Sequence, residues 1–130
     1  MHNFKELKIW KKSIKLTENI YSLLVEYPDF EKYGLTNQMR RSAVSIPSNI
    51  AEGSGRESNK DFKRFLAISL SSSYELETQL ILSFELGFIS EKDFNNVSGE
   101  LKEIQKMIYG FRKTLNNSKI IEKTIISNSY

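Results

Sequence analysis

Residues Ser90 to Leu115 read SEKDFNNVSGELKEIQKMIYGFRKTL, and the apolar side chains fall at Phe94, Val97, Leu101, Ile104, Ile108, Phe111 and Leu115. Steps of three and four alternate without a break, which lines up one stripe of an α-helix on a strict heptad. Ser90 followed three residues later by Asp93 supplies an N-cap pattern at its start. A helix with one apolar stripe is stable only when that stripe is covered. The rest of the chain must therefore supply partners.

Upstream, Ser58 and Asp61 repeat the cap and open a helix predicted to run to about Leu86. Its inward row is Phe62, Leu66, Ser69, Ser73, Leu76, Leu80 and Phe84, with Gly87 as a left-handed C-cap and Phe88 folding back on the last turn. The small residues in mid-row suit a close helix approach or a bulky neighbour such as Trp10. Before it, a helix is expected from Thr36, as N-cap, to about Gly53, with Leu35, Met39, Ser42, Ala43, Ile46, Ile50 and Gly53 facing inward. Pro47 inside it predicts a bend near Ala43 to Pro47, or two pieces. Gly53-Ser54-Gly55 reads as the exit turn. The first helix is predicted from Phe4 to about Tyr27, with Leu7, Trp10, Ile14, Thr17, Tyr21 and Leu24 on one face and Pro28 as its stop.

Four helices of similar length joined by short connections imply an all-α fold, an up-down-up-down antiparallel four-helix bundle spanning residues 1–116. A weakly ordered tail is expected at 117–130, where Ile120-Ile121 and Ile125-Ile126 stand among polar residues. The 130 residues suit one domain, and only 6 Gly and 2 Pro favour helices over a turn-rich β architecture.

Composition also narrows the chemistry. With no cysteine, disulfides, thiolate metal sites and a cysteine nucleophile are excluded. His2 is the sole histidine and sits near a terminus, so the Glu-x-x-His pairs of a carboxylate-bridged metal site are missing and a serine nucleophile has no internal base. Glu52, Glu75 and Glu77 do not make such a site alone. Gly53-Ser54-Gly55-Arg56 lacks the lysine and preceding strand of a phosphate-cradling loop. No enzymatic activity, metal or cofactor is expected. No apolar run has signal-peptide or membrane-spanning length, so cytoplasmic residence is expected.

The net charge of +3 and pI near 9.0 are mildly basic, but the charge is segregated. Lys8, Lys11, Lys12 and Lys15 crowd helix 1, while Arg40, Arg41, Arg56, Lys60, Lys63 and Arg64 gather around the helix 2 to helix 3 corner. Such a footprint suits the phosphate backbone of RNA or DNA, and equally serves solubility. Helix 1 carries a second apolar row, Ile9, Leu16, Ile20, Leu23 and Tyr27, predicted to form a subunit interface, the alternative being a wide core face. Ile68, Leu82 and Leu86 lie off the inner row of helix 3 and add to the expectation of a homo-oligomer. Asn49, Glu52 and Glu75 are expected to be paired structural polar groups, with Arg41 or Ser72 as partners.

The stretch Tyr33 to Arg56, YGLTNQMRRSAVSIPSNIAEGSGR, and the stretch Ser72 to Leu80, SSYELETQL, resemble the two motifs of a bacterial family, and Leu7-x-x-Trp10 resembles its start. That family is the four-helix-bundle proteins encoded in intervening sequences of large-subunit (23S) ribosomal RNA genes, related to the accessory proteins of diversity-generating retroelements. The resemblance covers roughly Phe4 to Leu115. It implies a ring-shaped homopentamer, and its retroelement kin imply an accessory role in which a basic surface binds nucleic acid and a reverse transcriptase. The positions matching its motifs are Gln38, Arg40, Arg41, Ser45, Asn49, Glu52, Gly53, Gly55, Arg56, Ser72 and Glu75. Two function classes stay open: a nucleic-acid-binding accessory protein, and a homo-oligomeric scaffold for protein partners.

Overall fold

In a computed structural model describing residues 2–116, the chain forms α1 (Lys8–Leu24), α2 (Leu35–Ser54), α3 (Asn59–Glu85) and α4 (Glu91–Thr114). Short 3₁₀ turns at Phe4–Glu6 and Asp29–Glu31 precede α1 and α2. No strand occurs among the described residues. The tail expected at 117–130 lies outside them.

Each helix packs on its sequence neighbours and α4 closes back on α1, while the backbones of the diagonal pairs do not approach closely. Cross-helix partners run in opposite chain order: Ser42 meets Gln79 and Ser45 meets Ser72 across α2 and α3, while Lys12 meets Glu103 and Asn19 meets Glu100 across α1 and α4. The bundle is thus up-down-up-down, as the short connections imply.

Three of the sequence signals hold locally. Ser58 and Ser90 each accept the backbone N–H three residues on, at 3.1 Å, capping α3 and α4. Gly87 has φ 79°, a conformation that a side chain would strain, and the Phe88 N–H returns to the Ser83 carbonyl at 2.9 Å. The inner rows read for helices 2 and 4 are buried apart from the half-buried Phe94, and the helix 3 row is buried apart from Phe84, which stacks on Phe94 at 4.7 Å.

Helix 2 departs from expectation at its start, and at its proline it is not divided into two pieces. It begins after Gly34, and the Leu35 N–H is taken by the Glu31 carboxylate at 2.8 Å. Thr36 therefore lies inside the helix, buried and with its hydroxyl unpartnered, and does not cap it. Pro47 neither breaks the helix nor divides it. Proline deprives the Ala43 carbonyl of its intrahelical donor. The Thr17 hydroxyl of α1 stands 3.1 Å from that carbonyl and 2.8 Å from the Ser13 carbonyl, so its proton serves both.

The largest correction concerns α1. Ile9, Leu16 and Ile20 are fully buried in the monomer's own core, Tyr27 is buried, and Leu23 packs against the core. The row expected to form a subunit interface is instead the inner face. The row expected inside is buried only at its two ends, Leu7 and Leu24, while between them Trp10, Ile14 and Thr17 are half-buried against α2 and Tyr21 is exposed. The polar residue that hid the true row is Ser13, which is fully buried because its hydroxyl donates to the Trp10 carbonyl at 2.8 Å. Tyr27 sits at the far end of this row. Burial raises its phenol above the ordinary range, opposed by the nearby Ser83 hydroxyl. That hydroxyl donates to the Gln79 carbonyl at 2.7 Å.

Candidate functional site: a basic end and a polar groove

Antiparallel packing gathers one end from four pieces of chain. The His2 N–H donates to the Ser54 carbonyl at 2.9 Å, Asn59 donates to the Leu115 carbonyl at 3.1 Å, and Arg112 Nε donates to the Lys63 carbonyl at 3.4 Å. The start of α1, the end of α2, the start of α3 and the end of α4 therefore share this end. Their charged residues include Lys8 and Lys11 from α1, Arg56 beyond α2, Lys60, Lys63 and Arg64 from α3, and Arg112 and Lys113 from α4. Cations in the first turns of α1 and α3 oppose the helix dipole, so local helix stability does not account for them.

The guanidiniums of Arg56 and Arg64 lie 4.6 and 4.5 Å from the Phe65 ring centre, and cation–π contact of this kind steadies their planar forks. Arg56 also pairs with Glu52 at 3.0 Å and Arg64 with Asp61 at 3.7 Å. These pairs are largely exposed, and such pairs are weak. A phosphate oxygen can compete for either fork. Lys63 bonds the Asn116 side chain.

Not every expected cation is here. Arg40 and Arg41 lie sixteen and fifteen residues before Arg56, most of them within α2, about 22 to 24 Å away at 1.5 Å per residue, so they do not belong to the helix 2 to helix 3 corner. Lys12 and Lys15 border a shallow cleft with Glu100 and Glu103, and Lys12 pairs with Glu103. Conversely, Arg112 and Lys113 join the basic end although charge spacing along the chain does not point to them. The signal lies in the topology, because an antiparallel bundle must return the end of α4 beside the start of α3.

Arg41 occupies a second place of interest. With Gln38, Ser42, Ser45, Ser72 and Glu75 it lines an open polar groove of about 400 Å³ between α2 and α3. Ser45 and Ser72 share a hydrogen bond of 2.8 Å at its floor, and Asn49 donates to the Ser45 carbonyl and hydroxyl at 2.8 and 3.0 Å. Asn49 is half-buried and paired, but with Ser45 of its own helix in place of the expected Arg41 or Ser72. Glu52 and Glu75 are exposed, so the expected burial of these two is corrected: Glu52 pairs with Arg56, and Glu75 stands on the groove wall. The two motif-like stretches thus meet here, Gln38, Arg41 and Ser45 from one and Ser72 and Glu75 from the other.

A third feature is apolar. Trp10, Ile14 and Thr17 of α1 and Val44, Pro47, Ser48 and Ala51 of α2 line an open groove of about 310 Å³. No helix among the described residues is long and apolar enough to cross a membrane.

Residues 5–110 match the model of the family described as 23S rRNA-intervening sequence protein. The chain belongs to that family. A crystal structure of a protein of unknown function from Bacteroides thetaiotaomicron VPI-5482, described as from the S23 ribosomal protein family, is similar at 28% identity and a TM-score of 0.74. The similarity covers 82% of this chain and 99% of that one. No curated protein matches.

Proposed function

We propose that this member of the 23S rRNA-intervening sequence protein family is a non-enzymatic, oligomeric accessory protein that holds the phosphate backbone of RNA or DNA at its basic end. The observation that carries the reading is the convergence of Arg56, Lys60, Lys63, Arg64, Arg112 and Lys113 from different helices at one end of the bundle. Contacts to phosphates are sequence-independent and release counterions, so affinity must fall steeply with salt. In an oligomer several such ends add through effective concentration. The family resemblance favours five copies in a ring and a reverse transcriptase as one partner.

Fluorescence anisotropy with single-stranded RNA and duplex DNA tests this. Binding is expected at about 50 mM salt, with little sequence preference. Arg56→Ser, Lys60→Ser, Lys63→Ser and Arg64→Ser together should flatten the salt slope on duplex DNA by up to about 3 to 4 units, at about 0.9 for each phosphate no longer neutralised. Absence of binding by the unaltered protein at that salt rejects the reading.

A second reading, a homo-oligomeric scaffold for proteins without nucleic-acid binding, is favoured by the open apolar groove between α1 and α2. That groove takes the interface role first assigned to the buried row of α1. Ile14→Glu with Val44→Glu should dissociate the assembly and leave helicity intact, whereas Leu16→Glu should unfold the chain. Light scattering that returns a 15.1 kDa species for the unaltered protein rejects oligomerisation in both readings.

A further inference from the structure

The end opposite the basic one differs in more than charge. There the α1–α2 connection meets the α3–α4 connection, with the Phe88 ring 5.5 Å from Tyr27 and 6.2 Å from Phe30. Around this aromatic cluster, in which only Tyr27 is buried, Val25, Phe30 and Tyr33 are 77%, 78% and 86% exposed, and Leu86 is 53% exposed. Scattered apolar residues on a surface need no explanation, but several large ones on one end mark an association surface.

The charges around them select the partner. Glu26, Asp29, Glu85 and Glu91 stand on the same two connections and helix ends, and none forms an ion pair among the described residues. Glu85, the last residue of α3, is on the unfavourable end of its helix dipole, so helix stability does not account for it. Lys32 and Lys92 are the cations of this end, and Lys32 lies over the Tyr33 ring at 5.6 Å. Phosphate backbones and anionic lipid surfaces are repelled by such a surface.

A second copy of the chain fits poorly. Its basic end would answer the carboxylates, but the exposed large apolar residues, Tyr21, Val44, Ile68, Tyr74, Ile81, Leu82 and Tyr109, lie along the helix flanks. Stacking end on end would cover Phe30 and Tyr33 with lysine and arginine.

We propose that this end docks a cationic, amphipathic segment of another protein, whose apolar side chains pack on Phe30, Tyr33 and Val25 while its lysines or arginines meet Glu26, Asp29, Glu85 and Glu91. Aromatic anchors ringed by charge are the usual make-up of such a surface, the rings giving affinity and the charges orientation and on-rate. The site is separate from the nucleic-acid end and does not depend on it.

The test titrates the full chain with a synthetic peptide of Lys and Leu at helical i, i+3, i+4 spacing, and with Lys–Ser and Glu–Leu peptides of the same length. Calorimetry and aromatic NMR signals read the outcome. The Lys–Leu peptide is expected to bind at least about tenfold more tightly than either control, a margin of about 1.4 kcal/mol, and to shift the Phe30 and Tyr33 ring signals. Phe30→Ser with Tyr33→Ser should remove that margin at unchanged helicity and unchanged nucleic-acid affinity. Glu85→Lys with Glu91→Lys should weaken binding and flatten its salt dependence. Equal affinity for Lys–Leu and Lys–Ser overturns the proposal, as does unaltered binding to the Phe30→Ser, Tyr33→Ser protein. A fall in assembly size in that variant overturns it in favour of a contact between copies.

Discussion

The α2–α3 seam and the α1–α4 seam solve the same packing problem by opposite means. Between α2 and α3 the facing residues are small, and hydroxyls cross the gap: Ser69 donates to the Ile46 carbonyl at 2.9 Å and Ser42 to Gln79 Oε1 at 2.6 Å. Between α1 and α4 the polar links are longer side chains at the edge of the core, Lys12 to Glu103 and Asn19 to both oxygens of Glu100 at 2.9 Å. A serine hydroxyl reaches a neighbouring helix only when the backbones are close, so its bond fixes register. A lysine bridges many separations and fixes little. The polar groove where the motif-like stretches meet opens on the close seam.

Gly53 is the sharpest place to break that seam. A Cβ there would stand 2.8 Å from Phe65 Cβ and 2.9 Å from Phe62 Cδ1, so even alanine requires α2 and α3 to part. Gly53→Leu should destabilise by about 3 kcal/mol, the upper end of core overpacking, and thermal melting checks it. Ser42→Ala ranks next, because it leaves the buried Gln79 amide oxygen without its donor, worth about 1 to 3 kcal/mol. Adding Gln79→Met should recover most of the loss, since replacing both partners by apolar groups removes the orphaned atom. Failure of that recovery would mean that Ser42 supports the seam by something other than this bond.

Thr17→Val sharpens the comparison from the α1 side. It keeps the shape but removes the hydroxyl that serves the Ala43 carbonyl, whose own helix cannot supply a donor past Pro47. A loss of about 1 kcal/mol is expected in denaturant melts. Pro47→Ala in the same background should return it, because the new backbone N–H satisfies the carbonyl.

How much of this was legible in the sequence follows from what each signal encodes. The rows of α2, α3 and α4 were readable because their inward residues are apolar or small at unbroken three–four spacing, and the Ser58, Ser90 and Gly87 caps because local hydrogen bonds decide them. Helix 1 misled because two rows of similar apolar content compete on it. The decision rests on Ser13, whose burial depends on a bond to its own helix. Whether α2 runs on through Pro47 or splits there stayed open for a related reason, since its compensating donor comes from another helix. Charge followed topology more than spacing: Arg112 and Lys113 reach the basic end only through antiparallel return, and Arg40 and Arg41 leave it through the length of α2. Glu52 and Glu75 looked buried by register alone, and register does not say how wide the buried arc is.

Lys12→Ala carries the smallest expected effect and bears most directly on the contrast between the seams. The Lys12 and Glu103 side chains are 45% and 54% exposed, so solvent screens their attraction and both must be ordered to meet. Removal should cost no more than about 0.5 kcal/mol at low salt, in the usual range for exposed pairs. At about 1 M salt, where the screening length is near 3 Å, the cost should vanish. Loss of a cation near the start of α1 also relieves part of the unfavourable helix-dipole interaction, which reduces the net effect further. Chemical denaturation of Lys12→Ala, Glu103→Ala and the double variant at both salt concentrations isolates the coupling between the two residues. A coupling as large as the loss in Ser42→Ala, persisting at high salt, would show that the α1–α4 edge sets register as firmly as the serine seam does.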